Sequence, residues 1–160
     1  MTIPKHYVPR TLSRKDRNSQ RKHIRNIRTL YKKGTYKDRP KLKSFRSKPS
    51  PHVTRAKKMY NVSKIVPSNT LARKTQCSLK GLRQIAKKGR GAYYSSGSRP
   101  NQTAQSWARA RLASSLTGGN AALVDYHILS KECKSSSKAL RLANKTRKHA
   151  TKKRATKKRD

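Results

Sequence analysis

Acidic residues are nearly absent from this chain: 5 Asp and Glu stand against 44 Lys and Arg, for a net charge of +39 over 160 residues. A hydrolase that works through Mg²⁺ needs carboxylates gathered around the ion. Here only Asp125 and Glu132 fall in the central part of the chain. His6, His23, His52, His127 and His149 are scattered, with no metal-ligand spacing and no acid/base partner among them. The sequence therefore predicts no catalytic residue, no metal, no cofactor and no enzymatic activity. Cysteine is as scarce. Cys77 and Cys133 are too few for the disulfide framework of a small secreted domain, and they read as reduced, buried thiols of a cytosol-like compartment. Apolar runs are short, and none approaches the ~20 residues that cross a bilayer. The opening MTIPKHYVPR carries no signal-type apolar region. The expectation is a soluble protein made in the cytosol. Hydrophobic residues are only 31% of the chain, with one Trp and one Phe, so the folded core should be small.

What the chain has in abundance is positive charge, and this decides the class of partner. Self-repulsion at this density opposes compaction and is relieved when a polyanion replaces counter-ions. Nucleic acid, an anionic membrane face and acidic protein surfaces all qualify. The charge is uneven: residues 1–67 carry 21 Lys or Arg against 2 acids, residues 68–133 carry 11 against 2, and residues 134–160 carry 12 against 1. These shifts predict three parts: a basic N-terminal arm (1–67), a small helical core (68–133), and a basic C-terminal helix and tail (134–160). The fold class is mainly α.

In the arm, Ser13 and Asp16 have capping-box spacing, and a helix is expected over 14–33, stopped by Gly34. Ile24, Ile27, Leu30 and Tyr31 form its apolar stripe. Arg21, Lys22, Arg25, Arg28, Lys32 and Lys33 surround that stripe as polyanion contacts. Like charges one turn apart repel, so this helix is expected to order fully only when bound. Residues 35–67, with Pro40, Pro49, Pro51 and Pro67, read as non-helical. They form either a solvated tether or a clamp that uses Tyr36, Phe45 and Tyr60, with a short strand allowed over 41–48.

In the core, Leu71–Ile85 resembles a helix-turn-helix, with Gln76 where glycine is preferred and Ser78 capping the second helix. That helix, Leu79 to Lys88, would present Lys80, Arg83, Lys87 and Lys88 to a groove. The alternative is a plain helical hairpin. Gly89 should cap this helix and Ala92–Ser95 should be extended, with Arg90 and Arg99 as further cations. Tyr93, Tyr94 and Trp107 are candidate stacking or docking aromatics. Thr103 should cap a helix from Ala104 to Leu116, burying Ala104, Ala108, Leu112 and Leu116 in one row. After Gly118-Gly119, Asn120 should cap a buried helix, Ala121–Leu129, with Leu123, Val124, Tyr126, Ile128 and Leu129 in the core. On it, Asp125 reads as solvated and His127 as a core histidine. A last helix is expected over Lys138–Lys148. The tandem ATKKR repeat (150–154, 155–159) follows as a disordered tail whose Lys152, Lys153, Arg154, Lys157, Lys158 and Arg159 bind phosphates without sequence preference. The same lysines also suit nuclear import.

The run KKGRGAYYSSGSRPNQTAQSWARARLASSLTGG, the following AALVDYHIL, and the pieces YVPRTLSRKDRNSQRKHI, YKKGTYKDRPKLKSF and KPSPHVTRAKKMY carry a resemblance. Together they resemble an uncharacterised basic domain shared by large double-stranded DNA viruses of algae and protists. The resemblance implies a virion component inside the capsid shell, with capsid proteins or double-stranded DNA as partners. The expected role is that of a structural, minor-capsid-type protein that staples capsid components through its basic arms. The alternative is a genome-condensing or sequence-reading DNA-binding protein.

Overall fold

The structure, a computed structural model, describes residues 2–157, the last of them by its backbone alone. After a 3-10 turn at Lys5–Tyr7 come α1 (Arg14–Lys32), α2 (Pro51–Tyr60), α3 (Asn69–Thr75), α4 (Leu79–Ser95), α5 (Ala104–Leu116), α6 (Asn120–Val124), α7 (Tyr126–Glu132) and α8 (Lys138–Lys157). The mainly α expectation holds. Among the described residues there is no strand, only an isolated antiparallel bridge between Cys77 and Cys133. The chain divides into two units: Met1–Pro49 with Lys88–Ala108, and Ser50–Lys87 with Arg109–Asp160.

In the first unit, α1 begins where its sequence says it should. The Ser13 hydroxyl accepts the Asp16 N–H at 3.1 Å. Asp16 is too short to return the favour, and Ser44 bridges the gap: its hydroxyl accepts from Ser13 N–H (3.1 Å) and donates to Asp16 (2.6 Å). At the other end Gly34 takes φ +77°, and the N–H groups of Gly34 and Thr35 close on the carbonyls of Tyr31 and Leu30. Ile24 and Ile27 are buried as expected. The helix is therefore packed within its unit through this stripe.

The stretch after it is neither a free arm nor a strand. Leu42 is buried, and the Asn101 side chain stands in for a strand partner. Its carbonyl accepts the Leu42 N–H (2.7 Å), and its amide donates to the Leu42 and Phe45 carbonyls (3.1 and 2.9 Å). Helix α4 also departs from expectation. It runs through Gly89 and Gly91 to Ser95, so Tyr93 and Tyr94 are helical rather than extended. Two helix-interior glycines cost about 1 kcal/mol each, which the complete burial of Tyr93 offsets. Gly97, at φ +103°, then turns the chain against Ile24; a Cβ there would lie 3.1 Å from the Ile24 side chain.

The second unit holds the larger apolar cluster, built from Tyr60, Ile65, Leu71, Leu82, Ile85, Leu112, Leu116, Ile128 and Leu129 with several alanines. Helix α2 lies inside the region expected to be non-helical. Pro51 opens it, at the first helical position, where a missing N–H costs nothing. The expected helix 121–129 is two, broken at Asp125. Asp125 is not solvated but fully buried. It accepts two hydrogen bonds from Arg111 (2.9 and 2.7 Å) and one from Ser115 (2.9 Å). His127 is exposed instead of core, and Val124 is 60% exposed, because the break rotates the helix faces.

Cys77 and Cys133 are joined in a disulfide, which corrects the reading of two free thiols. Both are buried. Ser78 N–H donates to the Glu132 carbonyl (2.7 Å) and Lys134 N–H to the Gln76 carbonyl (2.9 Å). These bonds flank the two residues as a non-hydrogen-bonded antiparallel pair, the arrangement that brings backbones closest. Finally, α8 continues past the expected Lys148 to Lys157. The first ATKKR copy lies within this helix, as the helix propensities of Ala, Lys and Arg favour once the helix is seeded. The rest of the tail expectation, including Lys158, Arg159 and the Lys157 side chain, lies outside the described residues.

Candidate polyanion-binding surface

Among the described residues, three of the four acids are occupied by hydrogen bonds. Asp16 is held below the usual carboxylate range, chiefly by the Ser44 hydroxyl and then by the Ser44 N–H. Asp125 is buried on Arg111. Glu132 accepts a short hydrogen bond from the Ser78 hydroxyl. Among the described residues Asp38 is the only fully exposed acid. The basic surface is thus almost uncompensated.

In the first unit, Arg21, Lys22, Arg25 and Lys32 stand exposed on α1, Lys33 is exposed at its C-cap, and Arg90 and Arg99 are exposed as well. Lys88 is half-buried. Arg28 is turned inward, donating to the Ser96 carbonyl at 2.6 Å beyond the end of α4. Arg39, which the sequence reading passed over, does similar work. It stacks over the Tyr93 ring at 3.9 Å and donates to the Tyr93 carbonyl (3.3 Å) and to the Ser98 hydroxyl. Burial depresses its pKa. Both arginines neutralise the C-terminal end of α4, where helix carbonyls lack partners. Nothing in a one-dimensional pattern distinguishes them from their exposed neighbours.

The three candidate aromatics separate. Tyr93 is fully buried. Trp107 is half-buried, with its ring edge-on to Tyr7 (5.7 Å, 78°). Tyr94 is half-buried in a cluster the sequence did not reveal. It lies nearly parallel to Tyr31 (5.9 Å, 12°), while Tyr36 stands edge-on to both. Of the other spaced aromatics, Tyr60 is buried and donates to the Leu116 carbonyl at 2.6 Å.

In the second unit, Lys80, Arg83, Gln84 and Lys87 lie exposed along one face of α4, with Leu82, Ile85 and Ala86 buried on the other. The turn from α3 into α4 is three residues, and Gln76 adopts the left-handed conformation (φ 56°) that glycine would supply more cheaply. Ser78 caps α4 through the Gly81 N–H at 3.0 Å. On α8 every residue from Thr151 to Thr156 is exposed, Lys152, Lys153 and Arg154 included. A cleft of about 590 Å³ lined by Tyr126, Arg147, Lys148 and Lys152 adjoins this helix, and Arg147 lies over the Tyr126 ring at 4.5 Å.

Among the described residues no three His, Cys, Asp or Glu side chains gather closely enough to hold a metal ion. No helix among them is long and apolar enough to cross a membrane. Residues 4–131 match DUF5824, a family of unknown function. The chain belongs to that family. No curated protein and no solved structure matches it. The family match ends before α8, so the cationic helix and its ATKKR repeat lie beyond it.

Proposed function

We propose that this protein of the DUF5824 family is a non-enzymatic nucleic-acid-binding protein that condenses or coats double-stranded DNA through phosphate contacts. The observation that carries the reading is the sorting of charge. Among the described residues three of the four acids are hydrogen-bonded, while most cations of α1, α4 and α8 face solvent. Such a surface gains free energy chiefly by releasing counter-ions from a phosphate backbone. The resemblance to proteins of large DNA viruses suggests the setting, a packaged genome inside a capsid. Electrophoretic mobility shift of the full chain on duplexes of unrelated sequence tests the reading; comparable retardation of all of them is expected.

Two narrower readings each have something in their favour. A sequence-reading role draws on the short α3–α4 turn and the exposed row on α4. It predicts that Arg83→Ala relaxes preference at one or two base pairs, whereas removing 150–160 weakens all sequences alike; binding-site selection on both variants separates the two. Capsid stapling draws on the resemblance, with residues 1–67 as its arm. Crosslinking in particles to capsid rather than genome would favour it.

A further inference from the structure

We infer that the tyrosine cluster of the first unit is a stacking site for an unpaired nucleobase, which makes single-stranded nucleic acid a second ligand class. This rests on the proposed polyanion function and extends it from phosphates to bases. Tyr36 is 67% exposed while its ring contacts two others. It stands edge-on to Tyr31 (5.7 Å, 77°) and Tyr94 (5.3 Å, 79°). Tyr94 in turn is backed by buried Tyr93 (5.1 Å, 88°), over whose ring Arg39 lies at 3.9 Å. The rings are therefore preorganised, so little rotamer entropy remains to be lost on binding.

Anchoring of the loop does not explain the arrangement. Arg39 already ties that loop to Tyr93 and Ser98, and Asn101 ties Leu42. The surroundings suit an anion-bearing ligand. Lys32, Lys33, Lys37 and Arg90 are exposed beside the rings in the chain, with Asp38 the single acid among them. Arg90 lies one turn before Tyr94 on α4, hence on its face. Bases within a duplex already stack on one another, so the exposed ring selects an unpaired one.

The test uses the full-length protein and fluorescence anisotropy with three probes: an oligothymidine of about twelve nucleotides, an abasic deoxyribose-phosphate chain of the same length, and a duplex. Wild type should prefer the oligothymidine over the abasic chain by about tenfold. Tyr36→Ala should erase that preference, Tyr36→Phe should keep it, and duplex affinity should stay within about twofold in both. No preference over the abasic chain, or a preference that survives both Tyr36→Ala and Tyr94→Ala, overturns the stacking site while duplex binding leaves the polyanion reading standing. Equal losses on all three probes would mark Tyr36 as structural and overturn it too. Failure of wild type to bind any probe at low salt would defeat the polyanion reading itself, and this inference with it.

Discussion

Asp125 shows how much one side chain can decide. Its carboxylate is completely buried, and Arg111 reaches it with two nitrogens while Ser115 adds a third donor. Removing one member of such a set strands the other charge in low dielectric, at a cost of about 3–5 kcal/mol. Asp125→Ala should therefore lose that much stability in urea unfolding, and Asp125→Ala with Arg111→Met should regain a good part of it. Tyr60 supplies a pH-dependent counterpart. Burial raises its pKa above the ordinary 10.0, and its hydroxyl donates to the Leu116 carbonyl. Above about pH 10 the unfolded chain releases this proton and the folded chain keeps it. Stability must then fall as pH rises through that range, whereas below it this group's contribution is fully present and does not vary with pH. Tyr60→Phe should cost about 1 kcal/mol at neutral pH and show a shallower alkaline decline than wild type in thermal melts. Neither residue was legible in the sequence. Asp125 looked like a polar interruption on an apolar helix, because the Arg111 that meets it lies 14 positions away on another helix.

At the scale of elements, the boundaries that proved readable were those set by local chemistry. Helix α5 occupies Ala104–Leu116 because Thr103 and Ser106 exchange hydrogen bonds at its start (3.1 and 2.9 Å) and a Gly-Gly pair follows its end. Helix α1 has Ser13 and Gly34 for the same reasons. The misread elements answer to longer-range forces. Burial of Tyr93 carries α4 through two glycines, and Pro51 begins a helix instead of preventing one because its position needs no N–H. The disulfide is the extreme case, since it depends on the α3–α4 turn meeting the end of α7. It closes a separation of 56 residues. Its reduction, or Cys77→Ser with Cys133→Ser, should lower stability by about 2–4 kcal/mol, read as a shift in urea midpoint between oxidised and reduced protein. The double variant should be insensitive to reductant.

For the whole molecule, composition states the excess of cations; the arrangement of charge adds where they lie. A net +39 spread evenly with acids would form surface ion pairs worth little individually. Among the described residues Asp16, Asp125 and Glu132 are hydrogen-bonded and only Asp38 is exposed, while most cations of each unit face solvent. The sequence could state the sum but not this sorting, because Arg28 and Arg39 face inward while chemically identical neighbours face out. The polyanion account is tested most directly by the salt dependence of duplex binding with the full chain. Plotted as log affinity against log salt, binding should fall linearly with a slope on the order of −5 to −10, as for a protein that neutralises six to ten phosphates. A slope shallower than about −1, or no binding at low salt, would contradict it.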